Sequence, residues 1–457
     1  MANIDRKTYM TMAISESSGT KQDSESQNPD KHNQSRLRKA ANGVRLFTMV
    51  TGFFVSQSIR LLRLRIASIY HRSTYKPVDT PKNIVVIGAS FAGVHVAKWL
   101  ADAVPTGYRV ILVEKNSHFN FLFAFPRYSV LPGYEKGAFI PYHGILGSAT
   151  RRGSLLRVQA EASRVTANQV LLANGETITY EYLVVATGSR QDPPAKMVSL
   201  DREGACEELR SVQSSIAQAR RLAVLGSGAV GVEIAADIKT YFPGKDVQLF
   251  TSRDVIMPSF GAKIQNHVAG ILEKLGVVVR YNARPQALPD QKTIKFQDGS
   301  TEEYDVVLPC TGQTPNSAIL STLLPEAISK QTGRILVKPT FQLQLADDLA
   351  SPNIFALGDV AEHGGPRMAR AVYMQASIVR DNVLELIRGR RPSHRYLPQL
   401  WIEGAIQLTI GKDHSVSYVP GDDGNDMLFT GAGYPDDFNI AKGWKLIGAK
   451  YPGPEGY

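Results

Sequence analysis

The chain of 457 residues contains little cysteine. Cys206 and Cys310 are its only two, and neither belongs to a CxxC or CxxxxC pair. A disulfide framework, a cysteine zinc site and a redox-active dithiol are therefore excluded. Each cysteine is most simply a buried apolar residue in a reducing compartment.

Long apolar runs are also missing, and acidic residues are missing from one region. The uncharged run Leu46–Ile59 includes several polar residues and is shorter than the roughly 20 residues that cross a bilayer as a helix. Residues 31–76 contain ten Lys or Arg and no Asp or Glu. Residues 1–78 carry +8 (13 basic against 5 acidic) of the formal net charge of +10. Because the rest of the chain is nearly neutral, no specific nucleic-acid partner is expected.

The N-terminal 78 residues predict a membrane contact. Residues 1–35 are polar without apolar periodicity and are expected to be disordered. Residues 36–78 combine apolar residues with arginines, which is typical of a helix lying on an anionic membrane surface. The flanking arginines are Arg60, Arg63, Arg65 and Arg72.

Two alternatives remain for this segment: an amphipathic helix packed on the protein's own body, and a cleaved transit peptide. We expect an intracellular protein on a cytosol-facing membrane, such as the mitochondrial outer membrane or a lipid droplet. If the segment packs on the body, a cytoplasmic protein is expected. Ala2 argues against N-myristoylation.

The stretch NIVVIGASFAGVHVA (Asn83–Ala97) is typical of a nucleotide-binding turn between a buried strand and a helix. Its G-x-S-x-x-G turn consists of Gly88, Ala89, Ser90, Phe91, Ala92 and Gly93. The outer glycines make the tight turn and allow close helix–strand packing, while Ser90 replaces the glycine that lets backbone approach a pyrophosphate. The next strand ends at Glu114 and Lys115, where a carboxylate can bind the ribose of an adenosine. We call residues 88–93 the first loop.

A second loop, residues 226–231, lies in LAVLGSGAVGVEIAADI and has all its glycines: Gly226, Gly228 and Gly231. Glu233 is expected in the first turn of the following helix, where it either orients a nicotinamide or complements the helix dipole. The next strand places Thr251 where an acid would select NADH, and Arg253 follows it. Arg253 is either a ligand for the 2′-phosphate of NADPH or a solvated surface charge, so the donor is NADH or NADPH.

Two nucleotide loops predict two nucleotides, and the natural pair is FAD with NAD(P)H. Strand ends at Thr187-Gly188 and Thr311-Gly312 repeat one design. Gly358-Asp359 ends another strand before a helical stretch, where an acid can bind the ribityl chain and a helix start can face the flavin. The first loop is therefore assigned to FAD and the second to the nicotinamide donor.

His363 is the histidine expected closest to the flavin, in GDVAEHGGPRMA. It could donate a proton to a reduced quinone, or it is a loop histidine with ordinary hydrogen bonds. No metal site is expected. After Arg390, alternating residues predict short strands, and residues 421–439 are interpreted as a loop.

From residues 82 to 444 the chain resembles the two-dinucleotide-binding flavoproteins, and among them the apoptosis-inducing-factor-like quinone reductases that include AMID and the ferroptosis suppressor proteins. GVEIAADIKTYFPGKDVQLF, HFNFLFAFPRYSV, LLRVQAE and RMA carry the resemblance. It implies electron transfer from NAD(P)H to a quinone, and it implies further cofactor contacts. Those residues are Arg127 at the flavin, Val158 at the adenine, Lys196 beyond the ATG motif, and Met368 and Ala369 after Asp359.

The expected fold class is α/β, with two Rossmann-like dinucleotide-binding domains, the NAD(P) domain inserted in the FAD domain, and a small C-terminal α+β domain. The boundaries are 1–35 tail, 36–78 basic segment, 79–200 FAD domain, 201–332 NAD(P) domain, 333–390 FAD domain and 391–457 C-terminal domain. The rival functions are an oxidoreductase of a small soluble metabolite and a flavin-binding apoptosis or signalling effector whose reductase activity is incidental.

Overall fold

The structure is a computed structural model that describes residues 73–345, 353–421 and 425–453. Between residues 48 and 71 it describes Thr48, Thr51, Gly52, Val55, Ser58, Ile59, Leu62, Arg63 and residues 66–71. The expected disorder of residues 1–35 lies outside the described residues.

The first nucleotide unit is a five-stranded, all-parallel sheet. Its central strand, Lys82–Ile87, is flanked by Tyr108–Glu114 on one side and Tyr182–Val185 on the other. The outer strands are Leu155–Gln159 and Ile354–Ala356. The four residues from Ile84 to Ile87 are buried, as expected for a strand covered on both faces.

The second nucleotide unit is a four-stranded parallel sheet in the order Val278–Arg280, Asp246–Phe250, Arg221–Leu225, Val306–Pro309. All four strands fall between Tyr182–Val185 and Ile354–Ala356 of the first sheet, so one unit is inserted in the other. The predicted fold class is confirmed. The residue boundaries given for the domains stay a prediction.

Smaller sheets surround the two units. One antiparallel sheet joins Ala162–Val165, Gln169–Leu172 and Thr177–Thr179, and another joins Gln286–Ala287, Thr293–Lys295 and Thr301–Glu303. Three two-stranded pairs are His118–Asn120 with Phe139–Pro141, Ser189–Arg190 with Thr314–Pro315, and Ile335–Leu336 with Ala361–Glu362.

The C-terminal part is an antiparallel sheet with one helix. Strands Ile406–Ile410, His414–Val419 and Met427–Ala432 pair in sequence order, and helix Ile440–Ile447 follows. The interpretation of residues 421–439 as a loop is wrong for Met427–Ala432. Apolar and polar residues alternate too weakly in this stretch to predict a strand. The strand forms because it pairs with His414–Val419.

Helices cover the sheets and connect them. The α-helices are Phe91–Ala101, Phe125–Tyr128, Glu135–Ala138, Tyr142–Arg151, Arg202–Gln218, Ala229–Tyr241, Ala262–Leu275, Ala369–Ile387, Leu400–Glu403 and Ile440–Ile447. Single 3-10 turns occur at Leu122–Ala124, Ala318–Leu320, Pro325–Ala327 and Gly358–Val360. Helices Phe91–Ala101 and Ala369–Ile387 pack against each other, with the His95 and Tyr373 ring centroids 4.4 Å apart.

Every described residue from 48 to 74 is helical. At the end of this segment Nε2 of the buried His71 lies 3.0 Å from the Val104 carbonyl oxygen, and the Tyr75 hydroxyl donates to the Tyr108 carbonyl at 3.1 Å. The segment is thus fixed to the body at its C-terminal end. None of the described helices is long and apolar enough to cross a membrane.

Candidate cofactor and electron-transfer site

The first loop closes tightly around its two outer glycines. Gly88 has φ +94°, and a Cβ there would collide with the Ala186 carbonyl oxygen, while one on Gly93 would collide with the carbonyl oxygen of Gly88. Ser90 caps helix Phe91–Ala101 by position, yet its side chain makes no cap hydrogen bond and is exposed. Its hydroxyl is therefore free to meet a phosphate at the helix N-terminus, where backbone N–H groups favour an anion.

Glu114 supports this loop from the neighbouring strand. Its carboxylate accepts from the backbone N–H of Ala89 at 2.6 Å and of Asn116 at 2.9 Å. Burial raises the pKa of Glu114, and these two hydrogen bonds oppose the rise. The Tyr142 hydroxyl donates to the Ala89 carbonyl at 2.9 Å from the other side. Both groups hold the turn in a shape that admits a dinucleotide.

Asp359 reaches the same loop from the far end of the sheet. Gly358, at φ +75°, lies against Ala92, because a Cβ on Gly358 would stand 3.1 Å from the Ala92 Cβ. Burial raises the pKa of Asp359, while the charges of Lys196, Arg367 and Arg334 oppose the rise. A carboxylate amid three cations beside a phosphate-binding turn fits the ribityl and pyrophosphate parts of FAD.

Lys196 is oriented by the strand end that carries Thr187 and Gly188. Its Nζ donates to the Ser189 carbonyl oxygen at 2.5 Å, and the Ser189 hydroxyl donates to Asp359 at 3.5 Å. Burial lowers the pKa of Lys196, and the charge of Asp359 opposes this. The structure brings together Lys196 and Asp359, which the sequence places far apart.

The strand end at Thr187-Gly188 is hydrogen-bonded to Asn316, four residues beyond Gly312. The Thr187 hydroxyl donates to the Asn316 carbonyl at 2.8 Å, the Asn316 side chain donates to the Thr187 carbonyl at 2.9 Å, and the Asn316 N–H donates to Gly188 at 3.0 Å. Gly312 lies exposed just before this connection. The two nucleotide units therefore meet where both cofactors are expected.

The second loop repeats the geometry of the first. Gly226 has φ +111°, and a Cβ there would crowd the Cys310 carbonyl oxygen 2.5 Å away. A Cβ on Gly231 would collide with the carbonyl oxygen of Gly226, whereas one on Gly228 would meet nothing within 4 Å. The open side at Gly228 is the side from which a pyrophosphate can approach. This loop fits the nicotinamide nucleotide.

Glu233 lies on helix Ala229–Tyr241, which begins at Ala229 and has no acidic residue in its first turn. The expectation that Glu233 lies in the first turn is therefore wrong. The interpretation that it complements the helix dipole is wrong as well, because the dipole effect fades within the first turn. Its Oε1 accepts from the Thr409 N–H and from the Thr409 hydroxyl, each at 3.1 Å. Burial raises the pKa of Glu233 to about 8, although the Thr409 hydrogen bonds lower it.

Arg127 lies behind Glu233 and is almost wholly buried. Its Nε donates to Asp237 at 2.8 Å, Nη2 donates to the Gly411 carbonyl at 2.9 Å, and Nη1 donates to the Tyr434 carbonyl at 3.5 Å. The resemblance implies a flavin contact for Arg127. In the structure the guanidinium links both nucleotide units to the C-terminal sheet.

The remaining expected contacts lie at the edges of the site. Arg253 is exposed, and the Thr251 hydroxyl donates to the Val255 carbonyl at 3.1 Å, so the arginine is available to a phosphate. Lys115 is exposed, with Nζ 3.9 Å from Glu161. Val158 pairs in register with Val113 at the adenosine end of the first sheet.

Met368 is the N-cap of helix Ala369–Ile387, and Ala369 is its first residue. This helix start lies next to the Asp359 turn, because Gln375 on its second turn accepts from the Gly358 N–H at 3.0 Å. Gln375 thus connects the helix to the strand end that carries Asp359.

His363 is packed rather than exposed to a substrate. Burial lowers its pKa to about 4, and Arg367 and Arg334 lower it further, so the imidazole is neutral at physiological pH. Nδ1 accepts from the Gly365 N–H at 3.2 Å, and the Tyr396 ring lies 5.7 Å away. This environment favours the interpretation of His363 as a hydrogen-bonded loop residue.

Neither cysteine lies in an environment that favours a thiolate. Burial raises the pKa of Cys206 to about 11 and of Cys310 to about 12, so both thiols stay protonated at neutral pH. Cys310 packs beside the second loop, with its Cβ 3.3 Å from the position of a Cβ on Gly231.

Sequence reasoning missed several residues of this site. They are Tyr142, Asp237, Arg334, Asn316 and Thr409. Asp237 carried a signal, since it stands four residues after Glu233 and so shares its helix face. The others contact the site only because distant segments meet there, and no spacing in the sequence marks them.

The chain is similar to several known proteins. A family model described as pyridine nucleotide-disulphide oxidoreductase matches residues 82–376. The Fe-regulated protein 8 of Mycosarcoma maydis is 30% identical over 359 residues, 73% of this chain and 88% of that protein. Ferroptosis suppressor protein 1 of Taeniopygia guttata is 29% identical over 392 residues, 82% of this chain and 98% of that protein.

Among solved structures, the sulfide:quinone oxidoreductase from Aquifex aeolicus aligns with a TM-score of 0.63 and 18% identity, covering 80% of this chain and 90% of that chain. At that identity the likeness shows the fold alone. The cofactors are FAD and NAD(P)H, in agreement with the two loops. The chain belongs to the pyridine nucleotide-disulphide oxidoreductase family, as an FAD-dependent NAD(P)H oxidoreductase of the ferroptosis suppressor protein 1-like group.

Proposed function

We propose that the enzyme passes electrons from NAD(P)H through FAD to a quinone-type acceptor at a membrane surface. The sequence offers no dithiol that could carry electrons onward from the flavin. The acceptor must then come to the flavin itself, as in the quinone reductases that the sequence resembles. A quinone is lipid-soluble, so the enzyme needs access to a bilayer.

The observation that carries the membrane part is an exposed apolar stripe on the N-terminal helical segment. Its members recur at helical spacing and are 48% to 70% exposed: Val55, Ile59, Leu62, Ile66, Ile69 and Tyr70. A stripe of this kind, with arginines around it, fits the headgroup region of an anionic bilayer. Ser68 and His71, in the last turns of the segment, are buried, and His71 fixes this end to the body. The residues described from Thr48 to Ile66 are exposed, so the apolar side chains before the anchor are open to a bilayer.

The residues of the site have distinct roles in this proposal. The first loop, Glu114 and the Asp359 cluster hold FAD, and the second loop holds the nicotinamide nucleotide. Glu233 orients the nicotinamide. When bound, the flavin takes a hydride from the nicotinamide and passes two electrons to the acceptor, chemistry that belongs to the cofactor.

A substitution of Arg253 tests whether this residue selects the donor. If Arg253 binds the 2′-phosphate, Arg253→Ala raises the KM for NADPH about tenfold, because one charge-assisted hydrogen bond is lost. The KM for NADH stays unchanged. Equal effects on both donors would make Arg253 a surface charge. Arg284, an exposed arginine of the same unit, is the matched control.

Stopped-flow absorbance tests the whole proposal. The purified protein is mixed with NADH or NADPH, and then with a short-tailed ubiquinone, while the flavin band at about 450 nm is followed. Rapid bleaching and quinone-driven recovery are expected. Bleaching without recovery would reject the quinone and favour a soluble metabolite as acceptor. No bleaching with either donor would reject the second loop as a working nicotinamide site.

A further inference from the structure

Residues 388–400, which we call the arginine–leucine segment, expose an unusual combination of side chains. Leu397 is 77% exposed and Leu400 is 59% exposed. Four arginines precede them, all exposed: Arg388, Arg390, Arg391 and Arg395. Large apolar side chains that are exposed beside a cluster of positive charges indicate a surface that binds a membrane or another molecule.

The protein's own ion pairs account for two of the four arginines. Arg388 and Arg390 pair with Glu385 at 3.2 and 3.7 Å and complement the end of helix Ala369–Ile387. Arg391 and Arg395 have no ion pair among the described residues. Their charges are therefore available to an anionic surface.

The leucines are held outward by a fixed backbone. Asn382, wholly buried, donates to the His394 carbonyl at 2.8 Å and accepts from the His394 N–H at 3.0 Å. The Tyr396 N–H donates to the Pro339 carbonyl at 2.8 Å, and its buried hydroxyl donates to Glu403. The backbone is thus fixed at His394 and at Tyr396, and the Tyr396 side chain occupies the interior. Leu397, the next residue, therefore faces outward.

The segment connects two regions that the proposed function uses. At one end, Tyr396 packs against His363, four residues beyond Asp359. The helix that precedes the segment, Ala369–Ile387, packs on helix Phe91–Ala101, and the Val104 carbonyl just beyond that second helix meets His71 of the N-terminal segment. The arginine–leucine segment therefore joins a helix packed near the N-terminal anchor to the loop that follows Asp359.

We propose that the arginine–leucine segment is a second membrane-contacting surface, in which Leu397 and Leu400 enter the headgroup region of an anionic bilayer and Arg391 and Arg395 bind its phosphates. This inference rests on the proposed function in placing the enzyme at a membrane. It adds a contact independent of the N-terminal stripe, close to the loop that holds Asp359, where a lipid-soluble acceptor would leave the bilayer. Exposed leucines favour lipid over nucleic acid, whose recognition uses stacking aromatics and base contacts.

Flotation of the purified full chain with vesicles tests the inference. Leu397→Ser with Leu400→Ser is expected to lower partitioning roughly tenfold, because the variant loses the apolar area that this surface adds to that of the N-terminal stripe. Val198→Ser, at a site 68% exposed elsewhere on the molecule, is the matched control and should bind as the unaltered protein does.

Charge is tested separately with Arg391→Gln and Arg395→Gln on phosphatidylcholine vesicles with and without phosphatidylserine. The double variant is expected to lower binding to the anionic vesicles roughly thirtyfold, because it loses two contacts between an arginine and anionic lipid. Binding to neutral vesicles should not change. Circular dichroism and bound FAD report that each variant is folded.

Vesicle binding of the leucine variant at the level of the unaltered protein would overturn the inference. So would a smaller sedimentation coefficient of that variant without vesicles, because the leucines would then cover a second copy of the chain. The assay contains no quinone, so its outcome is independent of turnover. Conversely, failure of the short-tailed quinone in solution would reject the proposed acceptor and leave the vesicle result standing.

Discussion

The Nε of Arg127 lies 2.8 Å from Oδ2 of Asp237, and the two side chains are 1% and 0% exposed. The pair joins helix Phe125–Tyr128 of the flavin unit to helix Ala229–Tyr241 of the nicotinamide unit. Arg127 also binds the Gly411 carbonyl of the C-terminal sheet. Three parts of the chain thus meet at one buried ion pair, which fixes how the two nucleotide sites face each other.

Arg127→Ala is expected to lower the free energy of unfolding by about 3–5 kcal/mol, because it leaves the Asp237 carboxylate buried without a partner. Urea denaturation measures the change. The double variant Arg127→Met with Asp237→Leu should lose less, since it removes both charges. A loss below about 1 kcal/mol in Arg127→Ala, as for an exposed pair, would show that the site is hydrated. Arg284→Ala, at an exposed arginine, is the control.

Glu233 should make stability fall with pH. Its folded pKa is about 8 because of burial, whereas a carboxyl in the unfolded chain titrates at about 4.3. Between these values the folded state holds a proton that the unfolded state has released, so stability decreases as pH rises through this window and levels off above it. Glu233→Gln removes the decrease.

The measurement is the urea midpoint of both proteins from about pH 5 to about pH 8. The urea midpoint of the variant should rise relative to that of the parent protein as pH rises. Parallel pH curves would mean that Glu233 is ionised throughout. Glu207→Gln, at an exposed carboxylate on another helix, should show no such gain.

Asp359→Ala should release FAD. The carboxylate lies among three cations beside the first loop, and loss of a charged hydrogen-bonding group weakens binding about tenfold to a hundredfold. The ratio of flavin to protein absorbance in the purified variant measures this. Full flavin content in a folded variant would reject the assignment of the first loop to FAD. Asp413→Ala, at an exposed acid of the C-terminal sheet, serves as control.

Gly228→Ala should weaken the nicotinamide nucleotide without disturbing the fold. A Cβ at Gly228 meets no protein atom within 4 Å but occupies the side from which the pyrophosphate approaches. The KM for NAD(P)H is expected to rise about tenfold or more with FAD content and melting temperature unchanged. Gly231→Ala, whose Cβ would collide with the Gly226 carbonyl oxygen, should instead destabilise the protein. An unchanged KM in Gly228→Ala would place the pyrophosphate elsewhere.

The turns of the two loops could be predicted because their chemistry is local. The conformation of Gly88 and the close packing at Gly93 follow from a strand, a turn and a helix that are consecutive in the chain. The same holds for Gly226 and Gly231. Asp359 could be assigned because it stands at a strand end just before a helix, where parallel strands bring their ligand-binding residues to one edge.

The position of Glu233 was misjudged by one turn, because helix starts depend on backbone geometry that a glycine-rich stretch does not fix. Its partner Thr409 lies 176 residues further along the chain, in a strand whose contacts no local pattern reveals. The C-terminal strand Met427–Ala432 was missed for the same reason. Its pairing with His414–Val419 outweighs its weak alternation.

The sequence by itself determined the turns of the two nucleotide loops and the basic N-terminal segment, since each depends on residues that are neighbours in the chain. Only the tertiary structure decided the ion pair of Arg127 with Asp237, the contact of Thr409 with Glu233 and the outward position of Leu397. These depend on which distant segments share one buried volume. Packing of the whole chain determines which segments these are, because it fixes burial and charge pairing at the same time.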